Sequence, residues 1–255
     1  MQPCRRLGLD VTWRCNWNCK HCFYRHGSQL HTNYDVPLVE LVKKIDQAQD
    51  GGLDHVVLVG WGEPSLYRRL DDLANDIVSR GMTWSMITNG ATKLETFKHC
   101  YRALGIDHLH ISSHGNLEIV SERSNASLRQ RELKTWLADE GHLFRTNVTL
   151  QQATYECLLE TIEEDIACGS RHLVLLGFLP HYEWNDQAEG AAVHPAILRP
   201  YVQDAARMIL DAGRLLTIRY HPLCHLDEDL WSYVTNARPG SPRASHSPPA
   251  LSNSS

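Results

Sequence analysis

Hydrophobic positions along this chain follow two alternating periods. Short runs rich in leucine and β-branched residues occur at 7–13 (LGLDVTW), 55–61 (HVVLVGW), 83–89 (TWSMITN), 108–113 (HLHISS), 143–150 (LFRTNVTL), 172–178 (HLVLLGF) and 215–220 (LLTIRY). Runs of this length, apolar at neighbouring positions, predict buried strands. Between them the apolar residues return every three or four positions. In PLVELVKKIDQAQDGG, Leu38, Leu41, Val42 and Ile45 share one helical face, and the Gly51–Gly52 pair suits a C-cap. The same spacing covers 67–80, 93–104, 128–140, 155–168 and 195–212.

Strand, helix and strand repeated in this way predict βαβ units and a parallel sheet. About six units and a seventh strand make an α/β fold, a partial or near-complete (β/α) barrel of the TIM-barrel type. From Ala237 the composition turns to ARPGSPRASHSPPALSNSS, which has too little apolar content to offset the entropy of ordering. Residues 1–236 are therefore expected to form one barrel domain and residues 237–255 a disordered Pro/Ser-rich tail.

Composition narrows the function classes. The formal net charge is -5, with 42% apolar and 22% charged residues, so the chain as a whole encodes no attraction to nucleic acid or anionic membrane. Its longest apolar runs, at 56–59 and 173–176, are too short to span a bilayer, and MQPCRRLGLD is not a secretion signal. A cytoplasmic protein is expected, in which cysteines serve as thiols or metal ligands. Of the eight, Cys100, Cys157 and Cys168 fall in predicted helices as apolar filler. His108 and His110 share a strand face on which no carboxylate alternates with them, so no second metal site is expected there.

Cys15, Cys19 and Cys22, in CNWNCKHCFY, form the one cluster. Structural zinc would need a fourth ligand such as His21 or His26, and no second C-x2-C knuckle exists. An electron-transfer cluster would need four thiolates. A third reading is a [4Fe-4S] cluster held at three irons, with the fourth left open. The motif follows the first predicted strand directly, on the face where a barrel builds its site.

With this motif in place, the chain over about residues 5–225 resembles the radical S-adenosylmethionine (SAM) enzyme family. GWGEPSLY, after the second strand, is similar to the family's GGEP element, and the resemblance assigns Gly62, Glu63 and Pro64 to the amino group of SAM. Trp61 stands where that element usually has its first glycine. The resemblance further implies that Asn89 in MITNG meets the ribose and that Ser112 in ISSHG matches an S-x-D-G serine, with His114 in place of the aspartate. It makes Arg145 and Asn147 candidates for the SAM carboxylate and ribose, sets LLGFLP near the adenine, packs His21 on the adenine and has Tyr24 shield the cluster. Taken singly, Asn89-Gly90 is also an ordinary turn and Glu63 an ordinary loop acid.

What the family implies is reductive cleavage of SAM to a 5′-deoxyadenosyl radical that takes hydrogen from a substrate, with His114 the candidate catalytic side chain. The substrate, small molecule or peptide, is open. An acidic flavodoxin or ferredoxin is the expected electron donor, docking near Arg5, Arg6, Arg14, Lys20, Arg25 and His26. One cluster per chain is expected. The alternative is a catalytically silent protein that binds cluster and SAM as a regulator or scaffold.

Overall fold

The computed structural model describes residues 5–19, 22, 33–115, 124–178 and 191–235. Seven parallel strands, β1 (Arg6–Asp10), β2 (His55–Val59), β3 (Thr83–Thr88), β4 (His108–Ser112), β5 (Phe144–Leu150), β6 (His172–Gly177) and β7 (Leu215–Arg219), lie side by side in chain order. Six helices alternate with them among the described residues: α1 (Leu38–Gln49), α2 (Leu70–Ser79), α3 (Leu94–Arg102), α4 (Ala126–Asp139), α5 (Leu158–Ala167) and α6 (Pro195–Asp211). No pairing joins β1 to β7 among these residues, so the expected barrel is a partial one, an open curved sheet. The expected tail, 237–255, lies outside the described residues.

An open sheet leaves two edges to be covered. Beside β1, Trp13 N donates to Tyr34 O and Val36 N to Val11 O, while beyond β7, Thr235 N donates to Ile218 O. The predicted strand ends move for a local reason. The runs expected to reach Trp13 and Trp61 stop at Asp10 and Val59, because the chain turns out of the sheet to form two loops held against each other. Likewise the helix expected from Tyr67 begins at Leu70, since Pro64–Leu66 forms its own 3-10 turn.

Alternation along each strand separates two environments. Outward residues such as Leu58, Trp84, Met86 and Ile111 pack against α1 to α4, and Val148, Leu173, Leu175 and Ile218 belong to a second core over α5 and α6. Each fully buried leucine contributes roughly 2–3 kcal/mol. Polar residues of α4 secure the strand ends: Gln130 Nε2 donates to the carbonyls of both Asn89 and Ser112. Lys134, buried, donates to Asp165 (2.5 Å) and to Ser113 (3.1 Å), tying the end of β4 between α4 and α5. Burying such a pair yields little net stability but specifies how the helices sit.

The inward face is polar toward the N-terminal ends of the strands. His55, His108 and His110 stack in sequence, and Nε2 of His110 lies 2.6 Å from Nε2 of His108. Burial, then the positive charge of Arg145, pushes the His110 pKa down to about 2, so the ring is neutral in the fold. An unfolded histidine takes up a proton near pH 6.5, which favours unfolding as the pH falls below that value. Lowering the pH from 7 to 5 is expected to remove about 2 kcal/mol of stability through His110. Urea unfolding at both pH values checks this: His110→Gln should flatten the pH dependence, and an unchanged slope would contradict it.

Candidate functional site

The C-terminal ends of the strands surround a cavity of about 530 Å³. Cys15, Cys19 and Cys22 all line it, and so do Gly62, Glu63, Asn89, Ser112, His114 and Asn147, the residues expected there from β2 to β5. His21 and Tyr24 lie outside the described residues. Pro64 is buried as the first residue of the 3-10 turn and does not line the cavity.

Three loops are laced into one unit around the cysteines. Thr12, fully buried, donates to Asp35 (2.6 Å) and accepts from Arg14 N (3.1 Å), which sets the path of the cysteine loop as it leaves β1. Arg14 in turn reaches across to Leu66 O (2.7 Å), and Glu63 N donates to Arg14 O (2.7 Å). From the other side, Asn89 Nδ2 donates to Asn16 Oδ1 (2.7 Å).

Gly62 is what lets the first two loops meet. A Cβ there would stand 2.2 Å from Arg14 O and 2.7 Å from the Trp13 carbonyl carbon. Gly62, expected at the SAM amino group, lines the cavity, and its own close approach is to the cysteine loop. Trp61, the departure from the expected glycine, is accommodated at the mouth. It stacks on Trp13 (5.5 Å, 19°) and hydrogen-bonds the Asp10 side chain.

Glu63 is the centre of the lacing. Its Oε1 accepts from Ser65 N (3.1 Å), Ser65 Oγ (2.6 Å) and Thr88 Oγ1 (2.6 Å), and Oε2 accepts from Asn89 N (2.8 Å). Only 2% of the residue is exposed. Burial raises the pKa, these hydrogen bonds oppose it, and among the described residues no basic side chain forms an ion pair with Glu63. Such a carboxylate is suited to a ligand cation.

The thiols show the same need for positive charge. Burial first, then the nearby Glu63 and Cys22, pushes the Cys15 pKa up to about 12, a value a bound metal would reverse. Trp17, buried, packs against Cys15 and Cys19 together with Ala91 and Ala126. It excludes water from the cysteines, a role the sequence reading gave to Tyr24; its position inside CNWNC was the available signal. Among the described residues no three side chains already stand in a metal-ligating arrangement, but three thiols facing one cavity are a donor set that suits an iron-sulfur cluster.

The far wall comes from β4 to β7. His114, 7% exposed, accepts from Thr149 N at Nδ1 (3.2 Å), so its neutral ring carries the proton on Nε2. Leu176, Phe178 and Tyr220 add apolar and aromatic surface. Gly177 permits β6 and β7 to close here, since a Cβ would fall 2.1 Å from Tyr220 O. Arg145 is not part of this lining. It lies two residues before Asn147, deeper toward the N-terminal side of the sheet, so the expectation that it meets a cofactor in the cavity is corrected by depth alone.

Comparison with known proteins agrees with this geometry. The family model described as Radical SAM superfamily matches residues 9–164. A tungsten-containing aldehyde ferredoxin oxidoreductase cofactor-modifying protein of Pyrococcus furiosus is 29% identical over 107 residues, covering 42% of this chain and 30% of its own length. An S-adenosylmethionine-dependent nucleotide dehydratase of Selenomonas ruminantium is 33% identical over 89 residues, covering 35% and 31%. The chain thus spans about a third of the length of these curated relatives. In fold it is similar to SuiB of Streptococcus suis bound to S-adenosylmethionine, with TM-score 0.66 and 18% identity over 84% of this chain and 49% of SuiB. It is also similar to anSMEcpe with bound AdoMet, with TM-score 0.59 and 15% identity over 85% and 64%.

Proposed function

We infer, because the chain belongs to the radical SAM superfamily, that it is an enzyme that holds a [4Fe-4S] cluster on Cys15, Cys19 and Cys22 and binds SAM beside it. The observation that carries this reading is the convergence of three thiols and an ion-pair-free buried carboxylate on one cavity. When bound and reduced, the cluster supplies the electron that splits SAM into methionine and a 5′-deoxyadenosyl radical.

The chain's own residues bind, orient and seclude. Glu63 and the backbone of the Gly60–Gly62 loop receive the SAM ammonium, and that cation relieves the cost of the buried carboxylate. Because Glu63 is already held by Ser65, Thr88 and Asn89, it is oriented before any ligand arrives. Asn89 has its amide engaged with Asn16 and Ala91 N, so it serves the ribose mainly by holding the cysteine loop in place. Ser112 and Asn147 offer polar contacts on the opposite wall, and Leu176 with Phe178 suits the adenine. His114 lines the remaining space and is fixed there by Thr149 N, which places its ring against the substrate side of the cavity. Trp17 and Tyr220 limit water near the reacting centre.

An external reductant must supply the electron, and an acidic flavodoxin or ferredoxin fits the basic residues beside β1. Arg14 is not free for that docking, since Leu66 O and Asp35 hold it. No helix among the described residues is long and apolar enough to cross a membrane.

The test is anaerobic reconstitution followed by SAM and dithionite. About four iron atoms per chain and release of 5′-deoxyadenosine are expected. A correctly loaded cluster that yields no cleavage product would leave the silent-scaffold alternative.

A further inference from the structure

We propose that the inner face of the sheet, directly below the cavity, holds an anionic group of the substrate, a phosphate or a carboxylate, between Arg145 on β5 and Arg219 on β7. This deepens the function inferred above and rests on it. Arg145 shares its strand face with Asn147 and Thr149, which line the cavity from the next levels up. Arg219 pairs in register with Leu176 and precedes Tyr220, two further lining residues. Arg145 is level with His172 and Leu215, four residues below Arg219 in register, so the two side chains approach the lower end of the cavity from β5 and β7 at different depths, near enough for Arg219 to repel Arg145.

Both lie on the inner face of the sheet and, among the described residues, neither has a counter-charge. Arg80, Arg131 and Arg207 each meet a carboxylate at 3.0 Å or less. Among the described residues, neither Arg145 nor Arg219 has an ion pair or a side-chain hydrogen bond, and Arg145 Nε is fully buried with no partner. Arginine does not discharge itself by losing a proton. Burial, then repulsion from Arg219 and Arg6, lowers the Arg145 pKa to about 10, a sign that its charge is held at an electrostatic cost.

The neighbouring groups cannot relieve it. Asp10 is taken by Trp61 and Asp107 by His108. His110, 3% exposed, adds a second buried nitrogen, Nδ1, with no partner. His172 on β6, between the two arginines in sheet order, has its Nε2 on Thr217. Two forked donor groups on the inner face, inside a chain of net charge -5, are matched by an oxyanion, which guanidinium binds through paired hydrogen bonds. An anion held here would direct the rest of the molecule upward, toward His114 and the cysteines.

The test uses the full chain, with and without its cluster, and measures thermal shift and calorimetric binding of inorganic phosphate, pyrophosphate and succinate. At least one of these should bind and raise the Tm, and the phosphate and succinate arms separate the two sources of the anion. Arg145→Gln and Arg219→Gln should each weaken that binding at least about tenfold. Arg145→Lys should retain part of it, and Arg131→Gln, at the surface pair with Glu164, should behave as wild type. If Arg145→Gln unfolds, the half-buried Arg219 carries the same comparison. The proposal is overturned if none of the three anions binds wild type, or if both glutamine variants bind as tightly. Failure here with intact SAM cleavage removes the subsite alone, whereas anion binding without SAM cleavage removes the radical function and leaves the subsite.

Discussion

Replacing Cys15 by alanine is expected to drop the iron content from about four atoms per chain to below about one and to abolish 5′-deoxyadenosine formation. With three protein thiolates there is no spare ligand. Each one is a third of the protein's hold on the cluster, and among the described residues no fourth cysteine lines the cavity: Cys100, Cys157 and Cys168 belong to α3 and the flanks of α5. Cys15 is held in place by Trp17 N, which donates to its sulfur at 3.4 Å. Serine at 15 should fare little better, since a hard hydroxyl is a poor ligand for iron in a sulfide cluster. Cys168→Ala, remote from the cavity, should load and cleave as wild type. Iron counts by colorimetric assay together with the visible absorbance of the cluster decide it. An iron content unaffected by Cys15→Ala would remove the cluster assignment.

Gly62→Ala is the second large effect, and it would arise without removing any cysteine or carboxylate of the site. Its Cβ would sit 2.2 Å from Arg14 O and 2.8 Å from the Arg14 carbonyl carbon. Both are backbone atoms of the loop that carries the cysteines, so neither can swing aside as a side-chain tip would. The Glu63 N to Arg14 O bond, at 2.7 Å, would be pried open with it. A loss of about 2–4 kcal/mol in stability is expected from such overpacking. A fall of at least about a hundredfold in SAM cleavage should accompany it, because displacements near 1 Å at a reacting centre have that consequence. Gly8→Ala is the matched control, since its Cβ would meet only Val59 Cγ2 at an ordinary 3.7 Å. Thermal unfolding and single-turnover SAM cleavage separate the two effects. A Gly62→Ala protein with wild-type cleavage would show that the two loops need not touch.

The strands were the most legible part of the fold. HVVLV, TWSMIT and HLVLLG are short apolar runs bounded by turn residues, and they occupy β2, β3 and β6 almost where the pattern put them. The two overextended ends, at Trp13 and Trp61, read as strand because a tryptophan suits a pleated surface as well as a stacked pair. Only the meeting of the two loops shows that these rings leave the sheet to stack on each other.

The site divides along the same line. CNWNCKHC and GEP are contiguous, so their chemistry could be read from local spacing, and the structure brings both to one cavity. Trp17, Asn16 and Thr12 carry no such signature. Their roles depend on contacts to Ala126, Asn89 and Asp35, and nothing in their immediate neighbours encodes those distances. Arg145 shows the limit most clearly. It shares the inward face of β5 with Asn147, but one pleat of depth separates the cavity wall from the polar layer beneath it.

Taken by itself, the order of residues determined the repeating βα architecture, the three-thiol cluster motif and the acidic loop that faces it. These are local patterns, set by hydrophobic period and by spacing along a few neighbouring residues. Tertiary structure decided that the barrel stays open, that Gly62 serves the cysteine loop, that Glu63 is buried and held without a cation, and that Arg145 and Arg219 are left without a counter-charge. Those properties arise from the register of parallel strands and from the burial it imposes, which bring together residues far apart in the chain and alter what each charge costs.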